Sequence, residues 1–362
     1  MLIDIATASP PYKVTQSKAA EELKKRMKIT PVQSRLIDTA AHYSGIDTRY
    51  IVVPDAEETA SDLFYTNKVD DLPGTKKRMD EYEKWTKILS CNAAGKLFKE
   101  TNFNPKKINR IITISCTGFF APGLDYYIMK EFNIPPAAKR TNIGFMGCAA
   151  SLIGFNSVLE ALRPAEVNGE INALLISVEL CSLHLHLEPT RDNILANTLF
   201  ADGCAVVLFS NSKEYKPKLD LLETRSITFD NSVEFMGWKI GDTGFEMILS
   251  PELPKMILEH AAPALINILK DIGIEKESIK HWALHPGGRA ILDALQVGLN
   301  LSDEQVLPSR TILKNFGNMS SASILYVLKE LLNASAIKKD EFCCAVAFGP
   351  GLSMEVAILK GA

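Results

Sequence analysis

The chain has 362 residues, 46% of them hydrophobic, and its 40 Lys and Arg against 43 Asp and Glu give a formal net charge of −3. A chain of this length buries a large core, and balanced charge without a long basic run argues against binding to nucleic acid or to an anionic membrane. The composition therefore predicts a soluble protein that acts on small molecules.

The start of the chain lacks a basic segment followed by a long apolar one, and no later stretch reaches the roughly 18 apolar residues of a membrane span. We therefore expect a cytoplasmic protein without a membrane span. The seven cysteines are an odd number and include neither a CxxC pair nor a His/Cys cluster at zinc-binding spacing. This pattern predicts free thiols and no metal site.

Helical periodicity appears first, over residues 16–43 and 76–100. Short β-rich runs that alternate with helical stretches follow, and they read IITIS, ALLISVEL, CAVVLFS, HWALH, CCAVAF and MEVAIL. The alternation predicts an α/β fold. Because no Pro/Gly/Ser-rich linker divides the chain, any domain boundary should be tight.

An internal repeat emerges when the sequence is displaced by 170 residues. The displacement lays GCAASLIGFNSVLEAL (147–162) on GNMSSASILYVLKELL (317–332). It also lays RIITISCTG (110–118) on KHWALHPGG (280–288). One offset that serves two segments suggests two similar halves, whose equivalent helix starts and strand ends can converge on one cleft.

Cys148 lies in GFMGCAAS, at the start of a run with apolar residues at helical spacing. Free backbone N–H groups and the helix dipole at such a position lower the pKa of a thiol below about 8.5, and a neighbouring imidazolium lowers it further. A thiolate there could accept an acyl group from a thioester. The alternative is an ordinary buried cysteine.

His285 ends an apolar strand-like run and is followed by PGG, which predicts a loop position suited to catalysis. Asn318 opens another helical stretch, where an ordinary N-cap is the alternative. An Asn amide and an imidazole N–H that meet can stabilise a thioester oxygen, or the enolate left when a malonyl thioester loses carbon dioxide. His184 and His186 alternate in CSLHLHLEP and fit structural roles, although His184 could also line a pocket.

The sequence also resembles a known family. The motifs GCAAS around Cys148, HPGGRAIL from His285, GNMSSAS around Asn318 and FGPGLSMEVAIL near the C-terminus look like those of the type III polyketide synthases, the chalcone-synthase-like enzymes. The resemblance covers nearly the whole chain. It implies a thiolase-like fold of duplicated αβαβα halves in a five-layered core, with residues 1–215 carrying the nucleophile and residues 216–362 the His and Asn.

The resemblance also implies a homodimer that uses acyl-CoA and malonyl-CoA as substrates and needs no cofactor. Cys148 would carry the acyl chain, while His285 and Asn318 would support decarboxylation. Phe200 in LFADG and Phe245 in TGFEM resemble gatekeeping aromatics. Six further positions resemble cavity-lining and specificity positions: Cys116, Thr117, Cys181, His184, Met236 and Ser320.

Contacts with CoA should differ from those of the plant enzymes, because the segment RLIDTAAHYSG offers only Arg35. Arg289, beside HPGG, is the candidate for a phosphate contact. Cys116, Cys181, His184 and Met236 replace the threonines and glycine of the plant enzymes, which indicates a microbial member.

The function implied is iterative decarboxylative Claisen condensation of malonyl-CoA onto an acyl-CoA starter, with a pyrone, resorcinol or phloroglucinol type of product. The compact, apolar Cys116 and Cys181 favour a long acyl starter. Three alternatives remain at this point: a ketoacyl-ACP synthase III-like enzyme that condenses once, a papain-like cysteine hydrolase, and an inactive binding protein.

Overall fold

The structure is a computed structural model that describes residues 1–56, 63–65, 72–162 and 169–362. Within these residues the strands are β1 (Leu2–Ala8), β2 (Tyr12–Thr15), β3 (Thr48–Ile51), β4 (Arg110–Ser115), β5 (Lys139–Gly144), β6 (Asn172–Leu180), β7 (Asp202–Ser210), β8 (Leu219–Thr228), β9 (Met236–Gly241), β10 (Gly244–Leu249), β11 (Ile279–Leu284), β12 (Phe342–Gly349) and β13 (Ser353–Gly361). The helices are α1 (Gln16–Arg26), α2 (Pro31–Tyr43), α3 (Thr75–Thr101), α4 (Leu124–Glu131), α5 (Ala150–Leu162), α6 (Arg191–Leu199), α7 (Leu253–Met256), α8 (Ala262–Asp271), α9 (Arg289–Gly298), α10 (Asp303–Phe316) and α11 (Ser323–Asn333).

All six predicted β-rich runs are strands, and both predicted helical regions are helical. The first region is broken into α1 and α2 by a new helix start at Thr30. The Thr30 side chain accepts a hydrogen bond from the Gln33 backbone, and the Gln33 side chain accepts one in return from the Thr30 backbone N–H. Pro31 then occupies the first turn, where its missing N–H costs nothing, so the local sequence favours two helices over one.

The predicted duplication is visible in the main sheet. Over the described residues its strand order is β5-β4-β6-β7-β1-β8-β13-β12-β11. In the first half β4 and β6 are parallel and β6 and β7 antiparallel, and in the second half β11 and β12 are parallel and β12 and β13 antiparallel. The halves join where Leu2 of β1 pairs with Leu219 of β8.

A direct contact marks the pseudo-twofold axis. Ser151 and Ser321 are equivalent under the 170-residue offset, and the Ser151 hydroxyl donates a hydrogen bond to the Ser321 carbonyl at 2.6 Å. Equivalent residues of two related halves can touch only near the axis that relates them. The axis therefore passes between the starts of α5 and α11.

Helices and sheet form alternating layers. Helices α5 and α11 pack against strands of both halves and form the central apolar layer. On the outside, α3 and α4 cover the first half, and α8, α9 and α10 cover the second. This is the duplicated, five-layered αβαβα arrangement that the family resemblance implies. The boundary between the halves at residues 215 and 216 stays a prediction.

A separate hairpin of β9 and β10 lies outside the main sheet, and β2 pairs with β3 in a second small sheet. No helix within the described ranges is long and apolar enough to cross a membrane.

We expect the central layer to be the most sensitive to truncation. Leu325 of α11 is fully buried in it, so Leu325→Ala should lower the free energy of unfolding by about 2–5 kcal/mol through lost burial and a residual cavity. Leu307→Ala on α10, at a side chain that is 57% exposed, is the matched control and should change it by less than about 0.5 kcal/mol. Denaturant unfolding measures both values, and equal effects of the two substitutions would contradict the layer assignment.

Candidate active site

Cys148 lies in the short 3-10 turn Gly147–Ala149 that leads into α5. Gly147 has φ of +59°, and a Cβ built on it would lie 2.5 Å from Cδ of Pro350. Only glycine meets both conditions, which explains why GCAAS and FGPG occur together. The close approach brings the Pro350 loop beside Cys148, whose sulfur lies 3.7 Å from the hydroxyl oxygen of Ser320.

His285 follows the last residue of β11 and is almost fully buried. Its backbone N–H donates to the Val346 carbonyl at 2.8 Å, and its own carbonyl accepts from the Gly287 N–H at 2.8 Å. Neither ring nitrogen has a hydrogen-bond partner among the residues that the structure describes. Buried polar groups without a partner are rare, so this imidazole is free to bind a substrate.

Asn318 connects the remaining loops. Its backbone N–H donates to the Leu199 carbonyl at 3.1 Å, and its carbonyl accepts from the Ala201 N–H at 2.9 Å. In the side chain, Oδ1 accepts from the Ser320 N–H at 2.8 Å, and Nδ2 donates to the Gly287 carbonyl at 3.3 Å. The amide is therefore oriented from both ends, with Nδ2 toward the loop that carries His285.

These three residues line one cavity of about 460 Å³, here called the catalytic cavity. Its volume lies within the range of small-molecule sites, about 300–1,000 Å³. Seven other residues singled out in the sequence also line it: Cys116, Thr117, Cys181, Phe200, Met236, Ser320 and Arg289. The structure thus brings together side chains that are up to about half the chain apart in sequence.

His184 and Phe245 line a different cavity of about 100 Å³, here called the side pocket, which lies among α1, β3, α6 and β10. The His184 Nδ1 accepts the Phe245 N–H at 3.0 Å, its Nε2 lies 2.7 Å from the Thr117 carbonyl oxygen, and its ring stacks on Phe245 at 4.2 Å. Burial lowers the pKa of His184 to about 3. The prediction that His184 lines the catalytic cavity is therefore wrong. His184 has a structural role, since both of its ring nitrogens already have hydrogen-bond partners.

Burial opposes the predicted resting thiolate. Burial raises the pKa of the Cys148 thiol to about 12, against the opposing hydrogen bonds from Ser320 and Asn318 and with a further increase from the nearby Glu179. Burial also lowers the pKa of His285 to about 3. Desolvation, which opposes the benefit of the helix start, therefore favours a neutral thiol and a neutral imidazole in the resting site.

Sequence reasoning missed Glu179, a fully buried carboxylate on β6. It accepts hydrogen bonds from the Cys116 N–H at 2.9 Å and the Thr117 hydroxyl at 2.8 Å, and also from the hydroxyls of Ser115 and Ser321. Burial raises its pKa. The signal was present, since an acidic residue inside the apolar run ALLISVEL must have polar partners in the fold.

Two further lining residues were not predicted. Trp238 on β9 lines both cavities, and its indole N–H donates to the Cys116 carbonyl at 2.7 Å. Arg191 lines the catalytic cavity together with Arg289, and both guanidinium side chains are about half exposed, at 48% and 52%. Within the described part of the chain, no group of three or more His, Cys, Asp or Glu residues is placed to hold a metal ion.

Comparison with known proteins identifies the family. Residues 8–228 match the family described as FAE1/Type III polyketide synthase-like protein, and residues 224–362 match the C-terminal domain of chalcone and stilbene synthases. The chain belongs to the type III polyketide synthases. It is therefore an acyltransferase that extends an acyl starter by Claisen condensation with malonyl-CoA, which confirms the predicted reaction class over the single-condensation and hydrolase alternatives.

Individual relatives are similar over most of this chain. Pks18 of Mycobacterium tuberculosis, named for alpha-pyrone synthesis, is 29% identical over 97% of this chain and 88% of its own length. Polyketide synthase 37 of Dictyostelium discoideum is 28% identical over 99% of this chain, which spans only 12% of that protein. The crystal structure of PKS-I from the brown alga Ectocarpus siliculosus is 29% identical, with a TM-score of 0.91 over 100% of this chain and 98% of that one.

The pH dependence of alkylation tests the state of Cys148. Because burial raises the pKa of this thiol to about 12, its rate of reaction with iodoacetamide should rise about tenfold per pH unit from pH 7 to 10, as the thiolate fraction does. His285→Ala should leave that profile in place. Mass spectrometry of the Cys148 peptide gives the rate, with N-acetylcysteine as the reference thiol. A plateau below pH 8 that is lost in His285→Ala would instead show a resting ion pair.

Proposed function

We propose that Cys148, His285 and Asn318 carry out iterative decarboxylative condensation of malonyl-CoA onto an acyl-CoA starter. The observation that supports this assignment best is the buried imidazole of His285, which has no hydrogen-bond partner in the described part of the chain and lies in the cavity that Cys148 and Asn318 also line. A neutral imidazole can accept a proton at one nitrogen and donate one from the other, which suits a group that serves two successive steps.

Loading of the starter is the first step. The Cys148 sulfur attacks the carbonyl carbon of the acyl-CoA while His285 takes the thiol proton. The bond between that carbon and the CoA sulfur breaks, and the CoA thiolate receives the proton from His285. Because the resting thiol is neutral, the proton transfer accompanies the attack rather than preceding it.

Decarboxylation of malonyl-CoA is the second step. The bond between C2 and the carboxylate breaks, and carbon dioxide leaves. The electron pair of that bond stays on the thioester and forms an enolate whose negative charge lies on the thioester oxygen. An N–H of His285 and an Nδ2–H of Asn318 donate to that oxygen. In a buried site such donors stabilise the negative charge more strongly than water does, because they are already oriented when the charge develops.

Condensation follows when C2 of the enolate attacks the acyl carbon on Cys148 and the bond to the Cys148 sulfur breaks. The sulfur leaves as a thiolate, and a proton taken up from solvent restores the resting thiol. The product is an acyl-CoA with two more carbons, which can reload onto Cys148 for another cycle. The proposed chemistry uses only side chains and CoA thioesters, so it needs neither a metal nor an organic cofactor.

The starter we propose is an aliphatic acyl-CoA, with release as a pyrone or a related resorcinol or phloroglucinol. Apolar side chains supply much of the lining of the catalytic cavity, among them Leu195, Leu199, Leu249 and Ile257. The name of the relative Pks18 refers to alpha-pyrone synthesis, which supports the pyrone.

Malonyl-CoA decarboxylation separates the proposed roles. Cys148→Ala should form no acyl-enzyme and no extended product, yet still release carbon dioxide, because both oxyanion donors remain. Asn318→Ala should still be acylated but should release carbon dioxide at least about 100-fold more slowly. Asn333→Ala, at an exposed residue at the end of α11, is the matched control.

Intact-protein mass spectrometry and labelled carbon dioxide provide the readouts. A starter adduct that persists in Cys148→Ala would contradict the nucleophile assignment, and wild-type carbon dioxide release in Asn318→Ala would contradict the oxyanion role. Absence of carbon dioxide release by the wild-type protein would contradict the roles proposed for both His285 and Asn318.

We also propose that Arg191 and Arg289 bind CoA phosphates. Both line the catalytic cavity and are about half exposed, and Leu36, Ala40 and Tyr43 of α2 line the same cavity. The only carboxylates within 4 Å of the two guanidinium groups in the described structure belong to Asp192 and Asp293, at 3.6 and 3.5 Å. These are weak, exposed pairs that a phosphate can displace.

Replacing either arginine by methionine should raise KM for malonyl-CoA about two- to fivefold without changing kcat, as expected for an exposed ion pair worth about 0.2–1 kcal/mol. The same variants should turn over malonyl-N-acetylcysteamine, which lacks the phosphates, like the wild type. Arg225→Met, on β8 and lining neither cavity, is the control. Equal losses with both substrates would show that the arginines act on structure.

A homodimer is the partner that we propose. Strand β5 lies at the end of the sheet and pairs only with β4 among the described strands. Five of its six residues are exposed. An open edge of this kind needs a cover, and a second copy of the chain would supply it. A cytoplasmic location likewise stays a proposal.

A further inference from the structure

Helix α6 ends directly before Phe200, and carbonyls in its last turn need donors from elsewhere in the fold. Arg49 on β3 supplies donors for two carbonyls at this helix end. Its Nη1 donates to the Asn197 carbonyl at 2.8 Å and to the Phe200 carbonyl at 2.7 Å. The Leu199 carbonyl, which lies between them in the chain, accepts the Asn318 N–H at 3.1 Å. One guanidinium group and the backbone of Asn318 thus hold the same helix end.

Arg49 also packs against the residue that precedes Asn318. Gly317 has φ of +70°, and a Cβ built on it would lie 2.9 Å from Cγ and 3.0 Å from Cδ of Arg49. Glycine at this position therefore lets the Arg49 stem lie close to the backbone that leads into Asn318. The arginine thus contacts both backbone segments that pair with each other at Phe200 and Asn318.

The Arg49 guanidinium keeps its charge although it is buried. Arg49 is 5% exposed, and burial lowers its pKa to about 10, against the opposing effect of the Asp202 carboxylate. The side chain is therefore cationic at neutral pH. A cation at the carboxyl end of a helix interacts favourably with the helix dipole, and hydrogen bonds from a charged donor are roughly twice as strong as neutral ones. Loss of this side chain would remove strong donors from two carbonyls at the end of α6.

We propose that Arg49 is a positioning residue for decarboxylation, which acts through Asn318. By fixing the end of α6 and the backbone at Gly317, it places the Asn318 amide where an Nδ2–H meets the enolate oxygen. An oxyanion donor must be oriented before the charge develops, and a displacement of about 1 Å can lower the rate about 100-fold. This inference rests on the proposed function, since it concerns the hydrogen bond that Asn318 donates.

A double-mutant cycle on carbon dioxide release from malonyl-CoA tests the proposal. Arg49→Met keeps an unbranched stem but removes the donors. It should lower kcat for carbon dioxide release about tenfold, while Cys148 is still acylated by the starter at the wild-type rate. In the Asn318→Ala background the same substitution should change carbon dioxide release less than about twofold, because the amide that Arg49 positions is already absent.

Arg26→Met is the matched control. Arg26 is nearly as buried as Arg49, at 7% exposed, and it also lines the side pocket. Its guanidinium donates to Asp55 and to the Tyr65 carbonyl, so it does not hold the end of α6. Arg26→Met should leave carbon dioxide release within about twofold of its starting value in both backgrounds.

Wild-type carbon dioxide release by a folded Arg49→Met enzyme would overturn the proposal. An equal loss in the Asn318→Ala background, or an equal loss of Cys148 acylation, would also overturn it, because the arginine would then act on the fold as a whole. If thermal melting shows that Arg49→Met does not fold, Arg49→Lys, which keeps the charge but lacks the planar fork, replaces it with the same expected and contradicting outcomes. The proposed function fails differently, since Asn318→Ala alone would then release carbon dioxide at the wild-type rate.

Discussion

The hydrogen bonds of Asn318 are the constraint on which the rest of the site depends. Its backbone is bonded to Leu199 and Ala201 on either side of Phe200, and its side chain is bonded to Gly287 in the loop after His285. One residue thus sets the relative positions of Phe200 and His285. Such fixed donors stabilise a developing charge without first having to be ordered, which is the physical basis of preorganised catalysis.

Desolvation has two opposite effects at this site. It favours the neutral forms of Cys148 and His285, which lowers the reactivity of the resting thiol. It also strengthens every hydrogen bond to a charge that appears later in the reaction, because little water is left to screen it. A thiol that ionises only when a substrate is bound is protected from unproductive alkylation and oxidation, whose rates follow the thiolate fraction.

The sequence predicted those features that follow from local periodicity and from repeated motifs. Strand β6 and helix α11 are recognisable from side-chain spacing, and the 170-residue offset correctly led to a pseudo-twofold axis. The protonation states could not be predicted, because helix position is visible in a sequence but burial of a charge is not. Trp238 was missed because GWKIG resembles an ordinary exposed strand until the hairpin is placed against Cys116. The central position of β1 was missed too, since β1 pairs with strands about 200 residues away.

The two halves have the same architecture but have diverged at equivalent positions, and this explains why one chain forms one asymmetric site. Under the 170-residue offset, His285 corresponds to Ser115 and Glu179 to Gly349. In the first half Ser115 donates to the buried Glu179, so the carboxylate holds the strand end that precedes Cys116. In the second half a side chain at Gly349 has no room, because a Cβ there would lie 2.9 Å from the carbonyl oxygen of Met146. The space that Glu179 fills in one half is thus taken in the other by the loop that carries Cys148. The His285 ring therefore has no hydrogen-bond partner among the described residues, and burial lowers its pKa. Two halves with the same fold therefore carry different chemical groups. At each pair of equivalent positions the two residues differ, and this changes which atoms can approach the pseudo-twofold axis.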